Sequence, residues 1–584
     1  MRRRAVVALL VLLSLVWAAD LSQVDPARLF DARGASSAWD VLSAFGSPDL
    51  SAEFLSRTGR LALESLFIGV LGTALAALVG FGLALLGARV PHLPDPPRGS
   101  RAARLAGEAI RFCVRFVLGV CRSIPDIVWA YLFVRMLGLG PGPAVLAIAV
   151  STGGIIGKLF AELAEAVDPG PIHALRRSGA GRLGVLVHGV LPQVQRQLVA
   201  YALFRLECSI RSASILGVVG AGGLGSEIAL SVRYFEFDKL ATTLIAVLLF
   251  VIALEAVSTW LRRRRIHWTL AAAALGTLAA VVYLPIPWAQ LWTSGALPPG
   301  MSIGGTREMI EVARRAAPLV LETVAMAWCA TIAAAVVAFA IAPIASRTLR
   351  AGSYLPDPPR ARGISRAAGW LVLAGARLGF QIARAMPELT LALLVVMWVG
   401  PGAFAGALAI GLHTIGVLGR LYTDIYEEAE PGPAAVIEAS GASRLAIWMH
   451  GVLPQVMPRL LAFTLYRFEV NVRMTVVVGF AGAGGIGDAI STAISLFHVT
   501  DLVFLLMVMV AVVTALDWAG DRVRHRILVG RFAAVKRRPN RLTHYRVDPE
   551  PQGDPNAQRE NQTGRSRDPD RSDAVVRLLG AGED

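Results

Sequence analysis

The string HGVLPQV stands at His188 to Val194 and again at His450 to Val456, 262 residues further on. LPDPPR at Leu93 and Leu355, PGP at Pro169 and Pro431, Gly179 and Gly441, and GAGG at Gly220 and Gly482 keep the same offset. The match reaches back to Leu63-Glu64 and Leu321-Glu322 at an offset of 258, the difference being absorbed in the basic loop before LPDPPR, where length changes are tolerated. A repeat this long is too large for a solenoid unit and has the size of a whole domain. One module has been duplicated, and two pseudo-symmetric halves are expected.

The nature of the module follows from its solvent. Of 584 residues 55% are hydrophobic and 17% charged, well above the roughly 45–50% apolar content of soluble domains. Apolar stretches of about 20 residues, the length a helix needs to cross about 30 Å of hydrocarbon, recur along almost the whole chain. Barrel strands would be short and alternating, so the expected fold is all-α and integral to a lipid bilayer. Spanning segments are placed near 5–19, 62–87, 108–137, 141–162, 194–222 and 240–261, then near 268–290, 318–346, 369–398, 403–424, 456–482 and 501–519. That makes about twelve transmembrane helices, with both halves in the same orientation. The corresponding divisions are a leading helix and external loop over 1–61, a first module over 62–265, a second helix and loop over 266–317, a second module over 318–527, and a cytoplasmic, disordered tail over 528–584.

The net charge of +15 raises nucleic acid as a partner, but the basic residues cluster at the ends of apolar segments, which membrane orientation explains better. Arg2 to Arg4, Arg262 to Arg265, and Arg522 to Arg538 are all expected on the cytoplasmic side, as are both termini. The loop 89–104 carries four arginines and one acid, and 347–366 carries five and one, both predicted inside. The loop 20–60 has four arginines against six acids and is predicted outside. The opening segment also reads as a signal peptide ending in Trp17-Ala18-Ala19, which leaves retention of residues 1–19 open. Cys113, Cys121, Cys208 and Cys329 show no CxxC or Cys/His spacing, so no metal, disulfide framework or cofactor is expected.

Between the fourth and fifth segments of each half lies a stretch too polar to cross the membrane and too regular for a linker. It opens with Pro-Gly-Pro, which suits a first helical turn, continues as a short helix over Ile172 to Ser178, and reaches Gly179 as a left-handed cap. A second short helix and Leu191-Pro192 follow. Gly179 with Leu191-Pro192 twelve residues on, repeated as Gly441 with Leu453-Pro454, resembles the coupling motif of permeases in bacterial ABC importers. The Glu-Ala-Ala that usually opens that motif is here His173-Ala174-Leu175 and Ala435-Val436-Ile437. Downstream, FRLECSIRSASILGVVGAGGLG (Phe204 to Gly225) and YRFEVNVRMTVVVGFAGAGGIG (Tyr466 to Gly487) resemble the phosphonate-importer branch of these permeases, as do RSIPDIVWAYLFV from Arg122 and RAMPELTLALLVV from Arg384.

The resemblance covers nearly everything from 62 to 525. It implies a type I ABC importer permease fold, in tandem duplicate, in a bacterial plasma (inner) membrane. It also implies docking of the short helices on ATP-binding cassette ATPase subunits, two in number, and delivery of a phosphonate, phosphate or phosphite by an extracytoplasmic solute-binding protein. Typical members of that branch carry one module and pair as homodimers, whereas this chain holds both modules.

The residues themselves are consistent with an anion path. Arg205, Glu207 and Arg211 fall within or beside a spanning helix and recur as Arg467, Glu469 and Arg473; charges there cost about 2.5–3.5 kcal/mol each on insertion scales. Their spacing sends Arg205 and Glu207 to different faces, so each is expected to pair with another helix, Arg122/Asp126 and Arg384/Glu388 being candidates. A structural ion-pair lattice is the competing reading. GAGGLG formally matches a dinucleotide fingerprint but lacks a strand-turn-helix context. Gly220, Gly222 and Gly225, with Gly482, Gly484 and Gly487, are instead expected to break the helix or admit close backbones, shaping a gate between the halves. Gly157-Lys158 is followed by Leu159, so no phosphate loop exists and ATP falls to a separate subunit. A secondary transporter with two like-oriented halves is the alternative. A membrane enzyme ranks last because no metal ligands or nucleophile-base set appears on any helix.

Overall fold

The computed structural model describes residues 2–88, 101–286, 306–347, 363–496 and 498–536, and all regular structure among them is helical. The two LPDPPR loops and the chain beyond 536 lie outside the described residues. The first half comprises α1 (Arg2–Leu21), α2 (Ala32–Ala44), α3 (Ala52–Gly87), α4 (Arg101–Ser123), α5 (Asp126–Leu137), α6 (Pro141–Glu165), α7 (Pro169–Arg177), α8 (Arg182–Val185), α9 (Leu191–Leu216), α10 (Leu224–Arg233) and α11 (Phe237–Arg262). The second comprises α12 (Ile266–Tyr283), α13 (Thr306–Ala345), α14 (Gly363–Ala385), α15 (Glu388–Val399), α16 (Ala403–Glu427), α17 (Pro431–Ala439), α18 (Arg444–Ala446), α19 (Leu453–Gly479), α20 (Gly485–Ser495) and α21 (Val499–Lys536). Element for element, α3–α11 repeat as α13–α21.

Among the described residues seven helices are long and apolar enough to cross a bilayer, or ten spans if each of three bent pairs counts as one. This is fewer than the expected twelve. The segment 456–482 falls in α19, where Arg459, Arg467, Glu469 and Arg473 dilute the apolar window, and α1 supplies only a shorter apolar helix, Leu12–Leu21. The segments 108–137 and 369–398 are also not continuous helices. They bend by 93° between α4 and α5 and by 94° between α14 and α15, because Pro125 and Pro387 supply no amide donor and push the residue before them out of helical geometry. At the far end α21 stays helical to Lys536, past the point where the disordered tail was expected to begin.

The halves are interlocked. The leading helix α1 packs on α13 of the second half, where Trp328 Nε1 donates to Ser14 Oγ at 3.1 Å. Conversely α12 packs on α3 of the first half, with the Phe67 and Tyr283 rings 4.8 Å apart. One apolar cluster holds Ile127 and Leu216 from the first half together with Leu389, Val476 and Ile490 from the second. With no water in hydrocarbon to drive helices together, contact depends on close fit, so small residues line the crossings. Gly80 of α3 sits against the backbone of Gly153 and Gly157 on α6, where a side chain would have no room.

Candidate functional site

Three structures repeat between the halves and lie where function is expected: an elbow, a glycine loop and a belt of buried charge.

The elbow begins with α7, whose first turn is capped by Asp168 Oδ1 accepting from the Gly170 amide at 2.9 Å. The helix starts at Pro169, slightly before the expected Ile172. Gly179 at φ +82° and Gly441 at φ +79° end the two short helices in the left-handed region, and Ala180 N closes the turn on Leu175 O at 3.1 Å. The second short helix is not free-standing. It runs through α8 and a π-helical turn, Leu186–Val190, into α9 at Leu191, as α18 runs through Ile447–Val452 into α19 at Leu453. Pro192 and Pro454 account for the widened turn, because a proline ring clashes with the carbonyl four residues back. The glutamines of HGVLPQV, which sequence reasoning did not single out, tie the elbow to its root. Gln193 Nε2 donates to Gly189 O at 2.7 Å while its Oε1 accepts from Asp168 N at 3.0 Å, and Gln455 Nε2 donates to Gly451 O at 2.5 Å.

The glycine loop joins α9 to α10 with a bend of 42°. Gly220, Gly222 and Gly223 have φ of +87°, +80° and +74°, and Gly482, Gly484 and Gly485 match them. Gly225 and Gly487 act differently. Neither has a left-handed backbone, and a side chain there would strike the carbonyls of Ser214 or Val476, so they let α10 and α20 lie against α9 and α19. Each loop is pinned by the first long helix of its half: Ser65 Oγ accepts from Leu224 N, and Thr323 Oγ1 from Ile486 N, both at 2.9 Å. Gly140 N donates to Gly220 O at 3.1 Å, and Gly402 N to Gly482 O at 3.0 Å.

The belt of charge lies between these two levels. Arg205 is buried and donates to Thr152 Oγ1 of α6 at 3.4 Å. Glu207 pairs with Arg262 of α11 at 2.7 Å, and its counterpart Glu469 with Arg524 of α21 at 2.5 Å. These partners do lie on other helices, but they are not the candidates named from sequence. The bend after α4 carries Asp126 onto Ser151 Oγ at 2.5 Å, and Glu388 faces His413 Nε2 at 3.2 Å. Arg122 and Arg384, left at the ends of α4 and α14, reach across to the opposite half, Arg122 to Asp517 at 2.6 Å and Arg384 to Glu255 at 2.7 Å. Arg211 from the first half and Arg467 from the second, both buried, lie close enough to Glu388 to act on its charge. Arg473, in contrast, is only partly buried. The missed members of this belt, Glu255 with Asp517 and Arg262 with Arg524, stand 262 residues apart, so the repeat offset carried the signal.

Residues 97–267 and 363–529 each match the family described as binding-protein-dependent transport system inner membrane component. The chain belongs to that family, twice over. It is 32% identical over 492 residues to the phosphate-import permease protein PhnE of Mycolicibacterium smegmatis, an alignment covering 81% of this chain and 86% of that one. It is 34% identical over 203 residues to the phosphite transport system permease protein PtxC of Stutzerimonas stutzeri, covering 34% of this chain and 68% of that one. Among solved structures, the MetNI methionine ABC transporter in an inward-facing conformation aligns over 38% of this chain and 99% of its own, at 20% identity and a TM-score of 0.32.

Proposed function

We propose that the chain is the membrane-spanning permease subunit of an ATP-driven importer that moves a phosphate-like oxyanion, such as phosphonate, phosphate or phosphite, into the cytoplasm. The names of PhnE and PtxC supply the class of solute. The observation that carries the reading is the pair of equivalent elbows, each a short helix closed by a left-handed glycine and rooted through a π-turn in a helix of the buried-charge belt. Two ATPase subunits dock on α7 and α17, with Gly179, Leu191, Pro192, Gly441, Leu453 and Pro454 holding the docking geometry. ATP is hydrolysed on those subunits and not on this chain. An extracytoplasmic binding protein delivers the solute to the glycine-loop end, and both termini lie in the cytoplasm of a bacterium. Arg205, Arg211, Arg467 and Arg473 line the path, where cationic groups in a low-dielectric setting attract an oxyanion that lipid excludes.

The test is reconstitution of the full chain in liposomes with its ATPase and binding protein. Uptake of radiolabelled phosphate, phosphite and methylphosphonate is measured with ATP and without it. Uptake of one of these only with ATP is expected; uptake driven by an ion gradient without any ATPase subunit would make the chain a secondary transporter.

A further inference from the structure

The two ion pairs that join the halves are related by the same offset as the sequence repeat. Arg122 and Arg384 are 262 residues apart, and so are their partners, Asp517 and Glu255. Arg384 is 7% exposed and Asp517 9%. Both belong to the second half, and their partners in the first half, Glu255 and Arg122, are partly buried. Such pairs favour contact while the halves touch and leave poorly solvated charges when they part. Their depth is fixed by α6: Asp126 meets Ser151, the Arg122 amide lies beside Gly154, and Arg115 meets Glu165 at the elbow end. The Arg122 pair therefore crosses between the helix break and the elbows, on the ATPase side of the path.

We propose that Arg122–Asp517 and Arg384–Glu255 are the latch of the inner gate, closed here and opened for release, and that the two sides open unequally. This rests on the permease reading for its direction but on geometry for its existence. Glu255 is held by three donors, since it also accepts from Arg420 and from Gln381 Nε2 at 2.7 Å. In the first half Gly119 occupies the place of Gln381 and Lys158 that of Arg420, and Lys158 turns to Glu162 on its own helix at 3.7 Å. Asp517 Oδ1 accepts no hydrogen bond among the described residues. The Arg122–Asp517 side gives way first, with the Glu255 side serving as the hinge.

The experiment compares Arg122→Asp, Asp517→Arg and the combined swap with the unaltered chain, using ATP-driven uptake of whichever of radiolabelled phosphate, phosphite and methylphosphonate the unaltered chain takes up. Each reversal lowers uptake about tenfold and the swap restores it to within about threefold, because an interfacial charge pair depends on complementarity and not on which side carries which sign. Rescue shows that the two residues act as a pair, and the elbow distances below separate a latch from a static bridge.

The second readout needs no transport. In a chain with its four cysteines replaced by alanine, spin labels at the exposed Ser178 and Ser440 report the distance between elbows. Asp517→Asn adds a longer population, and Glu255→Gln adds a larger one. A swap no better than the single reversals in inserted protein, or elbow distances unchanged in both neutral variants, overturns the latch, and equal populations overturn its inequality. If the unaltered chain moves none of phosphate, phosphite and methylphosphonate, the import reading fails, while the elbow distances still decide the latch.

Discussion

The hydroxyl of Ser65 accepts the amide of Leu224 at 2.9 Å, bonding the first long helix of one half to the start of α10 across 159 residues. Thr323 repeats the bond to Ile486. A helix begun on a glycine turn has no capping side chain of its own, so its first amides need an acceptor from elsewhere. Ser65→Ala should leave the buried Leu224 amide unsatisfied at a cost of about 1–3 kcal/mol. Hydrogen exchange around residues 220–226 should accelerate, with little change in the second half; an unchanged exchange rate would mean that the loop is held by its glycines alone.

Gly179 and Gly441 test whether the elbows are needed in this shape. No atom lies within 4 Å of where a side chain would begin at either position, so the cost of substitution is backbone conformation alone. Gly179→Val should cost about 1–2 kcal/mol and reduce uptake without preventing insertion, whereas Gly179→Asn should be tolerated, since asparagine accepts the left-handed region. Equal uptake by both variants would separate the cap from docking.

The repeat made most of this architecture legible. Because the motifs from LPDPPR onward recur at one offset, HGVLPQV, Gly179 and GAGG place the elbows and glycine loops in both halves from the sequence alone, and Pro125 and Pro387 stand in plain view at the helix breaks. What a linear pattern does not encode is which half a residue faces. Arg122 and Asp126 are four residues apart and in sequence read as joint candidates to meet Arg205 and Glu207, yet the bend at Pro125 turns one to the opposite half and the other to its own. The exchange of α1 and α12 between halves is invisible for the same reason: each is apolar on every side, and only tertiary fit selects its neighbour.

Gly154 and Gly416 support the latch arginines from behind. A side chain on Gly416 would come within 2.5 Å of the Arg384 amide, and one on Gly154 within 2.8 Å of the Arg122 amide. Overpacking of this kind costs about 1–3 kcal/mol. Gly416→Ala should lower the thermal midpoint in detergent more than Gly154→Ala, and both more than Gly375→Ala, where nothing stands nearby. A midpoint for Gly416→Ala matching that of Gly375→Ala would show that α14 can shift at no cost.

His413 occupies the place of Ser151, so the halves solve the same problem with different chemistry. The serine hydroxyl donates to Asp126, whereas the imidazole bridges Glu388 and the Met386 carbonyl, the latter 3.1 Å from Nδ1. His413→Leu removes the group facing a buried carboxylate and should destabilise the protein by about 3–5 kcal/mol. His413→Ser restores a donor of the first-half kind and should recover part of that loss in a thermal unfolding series. Equal stability of the two variants would show that Glu388 relies on Arg211 and Arg467 instead.

The elbows themselves are unlike in charge. Over 168–188 three arginines face one aspartate, a net +2, while over the equivalent 430–450 one arginine faces two glutamates, a net −1. The reversal is sharpest where Arg176 corresponds to Glu438, and Arg177 has Ala439 opposite it. A pair of identical ATPase subunits would present one groove to both surfaces, and that groove cannot complement both equally. If α7 is the electrostatic dock and the other elbow meets its subunit through the exposed Val436 of α17 and Leu445 of α18, Arg176→Ala with Arg177→Ala should weaken binding of the ATPase subunit about tenfold at low salt and flatten its dependence on ionic strength. Glu438→Ala should change neither by more than about twofold. Equal salt dependence before and after removal of both arginines would place the electrostatic contact elsewhere on this face.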